Sequence, residues 1–463
     1  MSHPANNGLG VGFSRRNFLK ATGAVGAGLA LAPVILGEEA KSSAKEVTVA
    51  IIGVGTQGRV LMEQAVKIPG LRFKAVCDIW PYSQKYAAGR LKAYKQEVNV
   101  YTDYQDMLSK EKGLDAAIVA TPDWMHAEHA IACMKAGLNV YCEKEMSNDL
   151  AKAKEMVLVS RETKKLLQIG HQRRSNPRYI HSKTRIIDEA KLLGRITHIY
   201  GQWNRSVAAT APRGFPKSYE LDADTLKKYG YDNMDQFRDW RWYKKFGGGP
   251  IADLGSHQID IFGWFLGANP QAVLAAGGLD YYTNNGYQWY DNTMCIYEFK
   301  TPAGIARAYY QVLSTTGARG YFETFMGTDG TLQLSEDPGK CRLYAEGHLP
   351  PVDGKHPWEP WVKKGYIIRQ EEPKEKATET KSDVDAIIDV YRSKPPATFL
   401  LKVDVEKSYH LPHIENFVAA VRGEAKLNCP GEVGYETAVQ VLRVNDAVAA
   451  QKTLTFKEED FKV

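Results

Sequence analysis

The chain has no C-x-x-C pair. Its six cysteines, Cys77, Cys133, Cys142, Cys295, Cys341 and Cys429, are scattered over 463 residues without metal-type spacing. That pattern argues against a disulfide framework and a structural zinc, and no metal site is expected. Cys77 and Cys142 fall in short apolar runs, where cysteine acts as a small hydrophobe. A clear membrane span is also missing, because the uncharged stretch from Ala21 to Leu36 is short and weakly hydrophobic for one. Charge excess is small. The net charge is +6, and Arg15, Arg16 and Lys20 account for three of it, leaving +3 elsewhere. This excludes the basic footprint of a nucleic-acid-binding protein. Hydrophobic content of 44% and charge of 25% are globular values. The length is too great for one ordinary core, so two domains with appendages are expected.

The three N-terminal charges sit in a pattern. Ser14-Arg15-Arg16-Asn17-Phe18-Leu19-Lys20 precedes the Gly/Ala/Leu-rich run and resembles a bacterial twin-arginine export signal. The resemblance implies the twin-arginine machinery as a partner, folding before export, and a periplasmic or otherwise exported location. Ala30-Leu31-Ala32 has the small-x-small form of a cleavage site, although Pro33 follows it. The competing reading is a basic amphipathic helix of the mature fold. Residues 1–37 are assigned to the signal and 38–45 to a polar linker.

What is present next is a run of β-branched and apolar residues, Val47 to Ile52, feeding into Gly53-Val54-Gly55-Thr56-Gln57-Gly58 and an amphipathic stretch from Arg59 to Ile68. Strand, glycine turn and helix in that order make a dinucleotide site. Gly53 allows the tight turn, Gly55 lets the backbone approach a pyrophosphate, and Gly58 lets the helix pack close to the strand. The helix N-terminus offers N–H groups to the phosphates. Asp78 ends a second apolar run twenty residues after Gly58. A carboxylate there accepts from ribose hydroxyls and repels a 2′-phosphate, favouring NAD over NADP. Further runs at 99–101, 115–122, 139–142 and 166–170 alternate with helical patterns. Together they argue for a doubly wound parallel sheet over residues 46–170.

Ala120-Thr121-Pro122-Asp123-Trp124-Met125-His126, followed by the A-G-x-x-V-x-x-E-K pattern of Ala136 to Lys144, resembles the glucose-fructose oxidoreductase / inositol dehydrogenase / MocA family. The likeness covers essentially residues 46–455. It implies a fold made of an α/β N-terminal Rossmann doubly wound parallel sheet and an α+β C-terminal domain with a large, mostly antiparallel sheet. Strand-like runs at 196–203, 272–277, 293–299, 306–312 and 321–334 suit that second sheet, with a hairpin turn at Thr301-Pro302-Ala303-Gly304. Residues 171–409 are assigned to a substrate and assembly domain, and 410–463 to C-terminal helices packing back on the first domain. One departure stands out: Glu145 follows Lys144 where the family has proline. Ser206–Phe246 and Asp337–Val403 look like insertions, the second read mainly as solvated loops.

The second hallmark is Gly247-Gly248-Gly249-Pro250-Ile251-Ala252-Asp253-Leu254-Gly255-Ser256-His257-Gln258-Ile259-Asp260. Pro250 after glycines starts a helix, and Asp253, His257 and Asp260 then share one face. A satisfied core histidine with two capping acids is the bland alternative. The resemblance implies instead that Lys144 and His257 take a hydroxyl proton while a hydride leaves the same carbon, with Asp253 orienting them. Burial near a cationic nicotinamide would have to lower the lysine pKa for this. Thr121, Pro122, His126 and Glu143 are expected to border the cofactor, as are Trp240 and Arg241. Gln172, Arg173, Asn204 and Asp260 are weaker candidates for contacting substrate.

The expected activity is therefore an exported NAD-dependent oxidoreductase acting on a sugar, glycoside or polyol, with NAD held tightly. Two rivals remain: an NAD-dependent glycosidase working through transient oxidation, and a non-catalytic sugar-binding relative. A homo-oligomer, dimer or tetramer, is expected because an open antiparallel sheet face needs covering.

Overall fold

In the computed structural model, the described residues are 45–206, 214–283, 286–370, 396–405 and 407–463. The export signal and most of the linker lie outside them.

The first sheet is built from short strands joined by helices, with β4 and β6 fully buried and the edge strand β3 largely exposed: β1 (Val47–Ile52), α1 (Thr56–Ala65), β2 (Leu71–Cys77), α2 (Pro81–Ala93), β3 (Asn99–Tyr101), α3 (Tyr104–Lys110), β4 (Ala116–Val119), α4 (Asp123–Lys135), β5 (Asn139–Cys142), α5 (Leu150–Thr163) and β6 (Leu167–Ile169). All pairings are parallel, in the order β3-β2-β1-β4-β5-β6. The order reverses between β1 and β4. Strand ends diverge there, which opens the crevice where such sheets bind ligands.

The second sheet has ten strands. Six of them are β7 (Ile196–Asn204), β8 (Pro270–Gly278), β9 (Asn292–Thr301), β10 (Gly304–Leu313), β11 (Tyr321–Gly327) and β12 (Gly330–Leu334), and β9, β10 and β12 alternate regularly between buried and more accessible residues. Every pairing is antiparallel except β7 with β10. The inward face buries Tyr297, Phe299, Tyr310 and Phe325, the last two against Phe262 of the helix Ser256–Leu266, while Leu274 and Ile296 stay exposed on the other.

The stretch 337–403 corrects the solvated-loop expectation. Its described residues add β13 (Arg342–Ala345), β14 (Ile367–Arg369) and β15 (Ala397–Leu401) to the edge of the same sheet. These strands are short and interrupted by polar turns, so no long apolar period marks them. Residues 371–395 lie outside the described set. In the other insertion, α6 (Ala223–Lys228) and α7 (Met234–Arg238) surround an aromatic cluster.

The central helix of the second half is α8 (Ser256–Leu266), and α9 (Leu411–Arg422) and α10 (Gly431–Ala450) close the chain. Leu411, Ile414 and Phe417 of α9 join Val47, Val49 and Leu61 in the core under the parallel sheet. α10 spans both halves. Its Gly434 packs so near β6 that a Cβ would stand 2.4 Å from Ile169 Cγ1, and its Gln440 carbonyl accepts from the β9 Tyr297 hydroxyl at 2.9 Å. A short strand, Leu454–Thr455, completes the second sheet beside β8.

Candidate active site

The glycine turn has the geometry its spacing demands. Gly53 has φ +85°, in the left-handed region that favours glycine, and a Cβ on Gly58 would stand 2.1 Å from Gly53 O. At Gly55 a Cβ would meet nothing within 4 Å. Gly55 is also the N-cap of α1 without a side-chain cap, so the first-turn N–H groups keep their capacity for an anion.

The turn opens into a cleft of about 480 Å³. Gly53, Gly55, Thr56, Gln57, Asp78, Thr121, Pro122, Glu143, Lys144, Trp240 and Arg241 all line it. Three expected cofactor residues do not. Val54 turns its N–H to Asp78 Oδ2 at 2.7 Å, and Gly58 meets the strand. His126 is 1% exposed, with Nδ1 on the Glu145 carbonyl at 2.8 Å and Nε2 on the Thr121 carbonyl at 2.7 Å. It ties the two loops together from behind the cleft wall.

Asp78 accepts from Trp80 N at 2.8 Å through its other oxygen. Burial pushes its carboxyl up, against these two N–H bonds. Each oxygen keeps a lone pair for a further donor.

Lys144 follows β5 and projects toward Asp253. Its Nζ donates to the Asp253 carbonyl at 2.5 Å and stands 3.6 Å from Oδ1. The peptide from Lys144 to Glu145 is cis. Arg241 Nε donates to Asp253 Oδ1 at 2.9 Å and an Arg205 terminal nitrogen to Oδ2 at 3.0 Å. Burial opposes the charge on Asp253, but Arg241, Lys144 and Arg205 outweigh it and hold the carboxyl well below its usual range. His257, one turn on, is 9% exposed, and its Nδ1 has no partner among the described residues. Burial, then the charges of Lys144 and Arg173, hold its pKa well below the usual value, so the ring is neutral.

The helix start differs from the simple α pattern. Ile251–Gly255 forms a π turn ahead of α8, a feature frequent at functional sites. Asp253 therefore faces Lys144, whereas Asp260 is buried on Arg174 Nε at 2.8 Å and accepts from the α10 Thr437 hydroxyl at 2.9 Å. The other substrate candidates also lie outside the cleft wall, as do Asp253 and His257, of which Asp253 is joined to the wall through Lys144 and Arg241. Arg173, 1% exposed, bonds Glu323 at 3.1 Å and Glu336 at 3.3 Å. Asn204 pairs with the Ala318 carbonyl and Gln311, and Gln172 is buried.

Asp123 escaped the sequence reading, and so did the burial of Glu145, the departure beside Lys144. Asp123, at the start of α4, lines the cleft and is pushed up to about 7 by burial despite Arg241 and Lys144 nearby. Glu145, 1% exposed, is pushed up to about 8 by burial; its Oε1 accepts from Met146 N at 2.8 Å, and its Oε2 has no partner among the described residues. Both stood inside quoted motifs, but burial is not visible from spacing.

Residues 47–171 match the profile of an oxidoreductase family with an NAD-binding Rossmann fold, and residues 223–453 match that family's C-terminal alpha/beta domain. The chain belongs to the Gfo/Idh/MocA oxidoreductase family. It is thus an NAD-binding oxidoreductase with the two-sheet architecture described above. Residues 12–32 match the twin-arginine translocation pathway signal sequence, and among the described residues no helix is long and apolar enough to cross a membrane.

An uncharacterized oxidoreductase, YrbE, of Bacillus subtilis is 24% identical over 50% of this chain and 58% of its own length. A protein named for glycosyl hydrolase family 109, from Shewanella baltica, is 32% identical over 33% of this chain and 38% of its own. The chain thus spans less than two thirds of these relatives. A levoglucosan dehydrogenase solved with NADH shares the fold at a TM-score of 0.64 and 17% identity, covering 89% of this chain and 100% of that one.

Proposed function

We propose that this Gfo/Idh/MocA protein is an exported enzyme that transfers a hydride between a hydroxyl-bearing carbon of a sugar, glycoside or polyol and a tightly held NAD. The observation that carries the reading is that Lys144, which lines the cleft the glycine turn opens, stands 3.6 Å from Asp253 of the other half of the chain.

NAD, when bound, supplies a two-electron acceptor for the hydride. The uncapped start of α1 and the space at Gly55 suit its pyrophosphate, with Asp78, Thr121, Pro122, Glu143, Trp240 and Arg241 around it. The chain's own work is on the proton. Neutral His257, with a free ring nitrogen, takes the hydroxyl proton as the carbonyl forms, and Lys144, charged beside Asp253, donates to the oxygen that loses it. Asp253, kept ionised by three cations, orients Lys144 and accepts from a substrate hydroxyl. The twin-arginine signal supports delivery to the periplasm, and the exposed Leu274 and Ile296 on the outer sheet face support a homo-oligomer. Turnover of a sugar panel with NADH absorbance as the readout tests the reaction. Loss of that turnover in Lys144→Met with NAD content retained is the expected result.

A second reading is favoured by the relative named for a glycosyl hydrolase family: net glycosidic cleavage by oxidation, elimination, hydration and re-reduction. p-Nitrophenyl glycosides without added NAD separate the two. Nitrophenol release with no NADH accumulating supports the hydrolase, and NADH formation with no release supports the dehydrogenase.

A further inference from the structure

The aromatic stretch from Phe215 to Phe246 is not used in the proton chemistry, apart from Arg241. It has its own core, in which Leu226, Tyr231, Met234 and Phe246 are each no more than 5% exposed. That core is shared with Trp80, which follows Asp78 on the parallel-sheet side. Hydrogen bonds at both ends anchor the stretch to that side. Trp80 Nε1 donates to the Tyr219 carbonyl at 2.6 Å, and Lys85 Nζ to the Tyr219 hydroxyl at 3.2 Å. At the other end Trp124 N donates to the Phe246 carbonyl at 3.3 Å, and Asn148 Nδ2 to the Lys245 carbonyl at 3.0 Å.

Between these anchors the chain crosses the cleft. Tyr229, Gly230, Tyr231 and Phe237 line the same cavity as Gly55 and Asp78. Gly230 has φ +83°, and a Cβ on it would stand 3.2 Å from Trp124 Cη2, so the tip closes directly on that ring. Lys245 Nζ holds the tip by donating to the Gly230 carbonyl at 2.6 Å.

We propose that residues 215–246 form a strap that covers the dinucleotide and makes it a resident cofactor, exchanged only when the strap undocks. The proposal rests on the NAD-dependent reading above. Release of the cofactor requires the anchors at Trp80 and Trp124 to separate from Tyr219, Tyr231 and Phe246, and exchange takes the rate of that local opening.

The test uses the full chain loaded with NADH, with nucleotide fluorescence as the readout. After desalting, NADH stays on the wild type and exchanges with excess NAD over many minutes. Leu226→Ala empties the strap's own core without altering the cleft wall, and its exchange is expected to be at least ten-fold faster. Hydrogen exchange on the wild type is the second arm. Amides of 219–246 are better protected with NAD bound than in the nucleotide-free chain. Equal exchange rates in variant and wild type, or strap amides indifferent to NAD, overturn the strap. If Leu226→Ala does not fold, the hydrogen-exchange arm decides. A chain that binds NAD but loses it on desalting overturns the strap alone, and a chain that binds none overturns the NAD-dependent reading with it.

Discussion

Lys144 Nζ and Asp253 Oδ1 lie 3.6 Å apart although 109 residues separate them, and the lysine side chain is 9% exposed. The pair joins the end of a parallel strand to the start of a helix under the antiparallel sheet, so the lysine that lines the cleft is held by a carboxylate of the other half.

Removing the cation tests this pair. Lys144→Met is expected to lower kcat by about 10²–10⁴-fold, the range of a lost acid–base group. Steady-state rates and bound-nucleotide content measured together check it. Near wild-type turnover would remove Lys144 from the mechanism.

The glycine turn gives two opposite outcomes. Gly58→Ala forces a methyl onto the Gly53 carbonyl and is expected to cost about 1–3 kcal/mol. Gly55→Ala meets open space, so its urea midpoint without NAD stays near wild type while NAD affinity falls. Equal NAD binding in Gly55→Ala and wild type would place the dinucleotide elsewhere.

Arg173 is expected to matter for stability and not for substrate. Arg173→Met leaves Glu323 and Glu336 buried without their cation, a loss of about 3–5 kcal/mol. Urea unfolding measures it, and the KM of the folded fraction stays unchanged. A raised KM with unchanged stability would return Arg173 to the substrate site.

Glu145 makes stability depend on pH. Its folded pKa is raised to about 8 from an ordinary 4.5, so the fold favours the protonated form. Stability from this group is complete below about pH 4.5 and is lost as pH rises through 8. Glu145→Gln keeps the shape and cannot ionise. Its melting temperature relative to wild type is expected to climb between pH 5 and 8 and level off above, by calorimetry across that range.

Export is checked by replacing Arg15 and Arg16 with lysine. Cell fractionation is expected to show the protein retained in the cytoplasm, and unchanged export would exclude the twin-arginine route.

The sequence alone determined the parallel half, because its signals are local. A strand, a left-handed glycine and a helix start occupy adjacent positions, and each has a residue type that little else tolerates. Family motifs extended this to Lys144, Asp253 and His257. Tertiary structure decided which polar residues face the cleft. Asp260 and Asp253 look equivalent on a helical wheel, yet a π turn and Arg174 send them to different partners. Arg173 is held by Glu323 and Glu336 far along the chain, and the aromatic stretch at 215–246 became a cleft wall only through Trp80 and Trp124. Burial of a charged or polar group depends on what the rest of the chain brings against it, and no spacing within one segment encodes that.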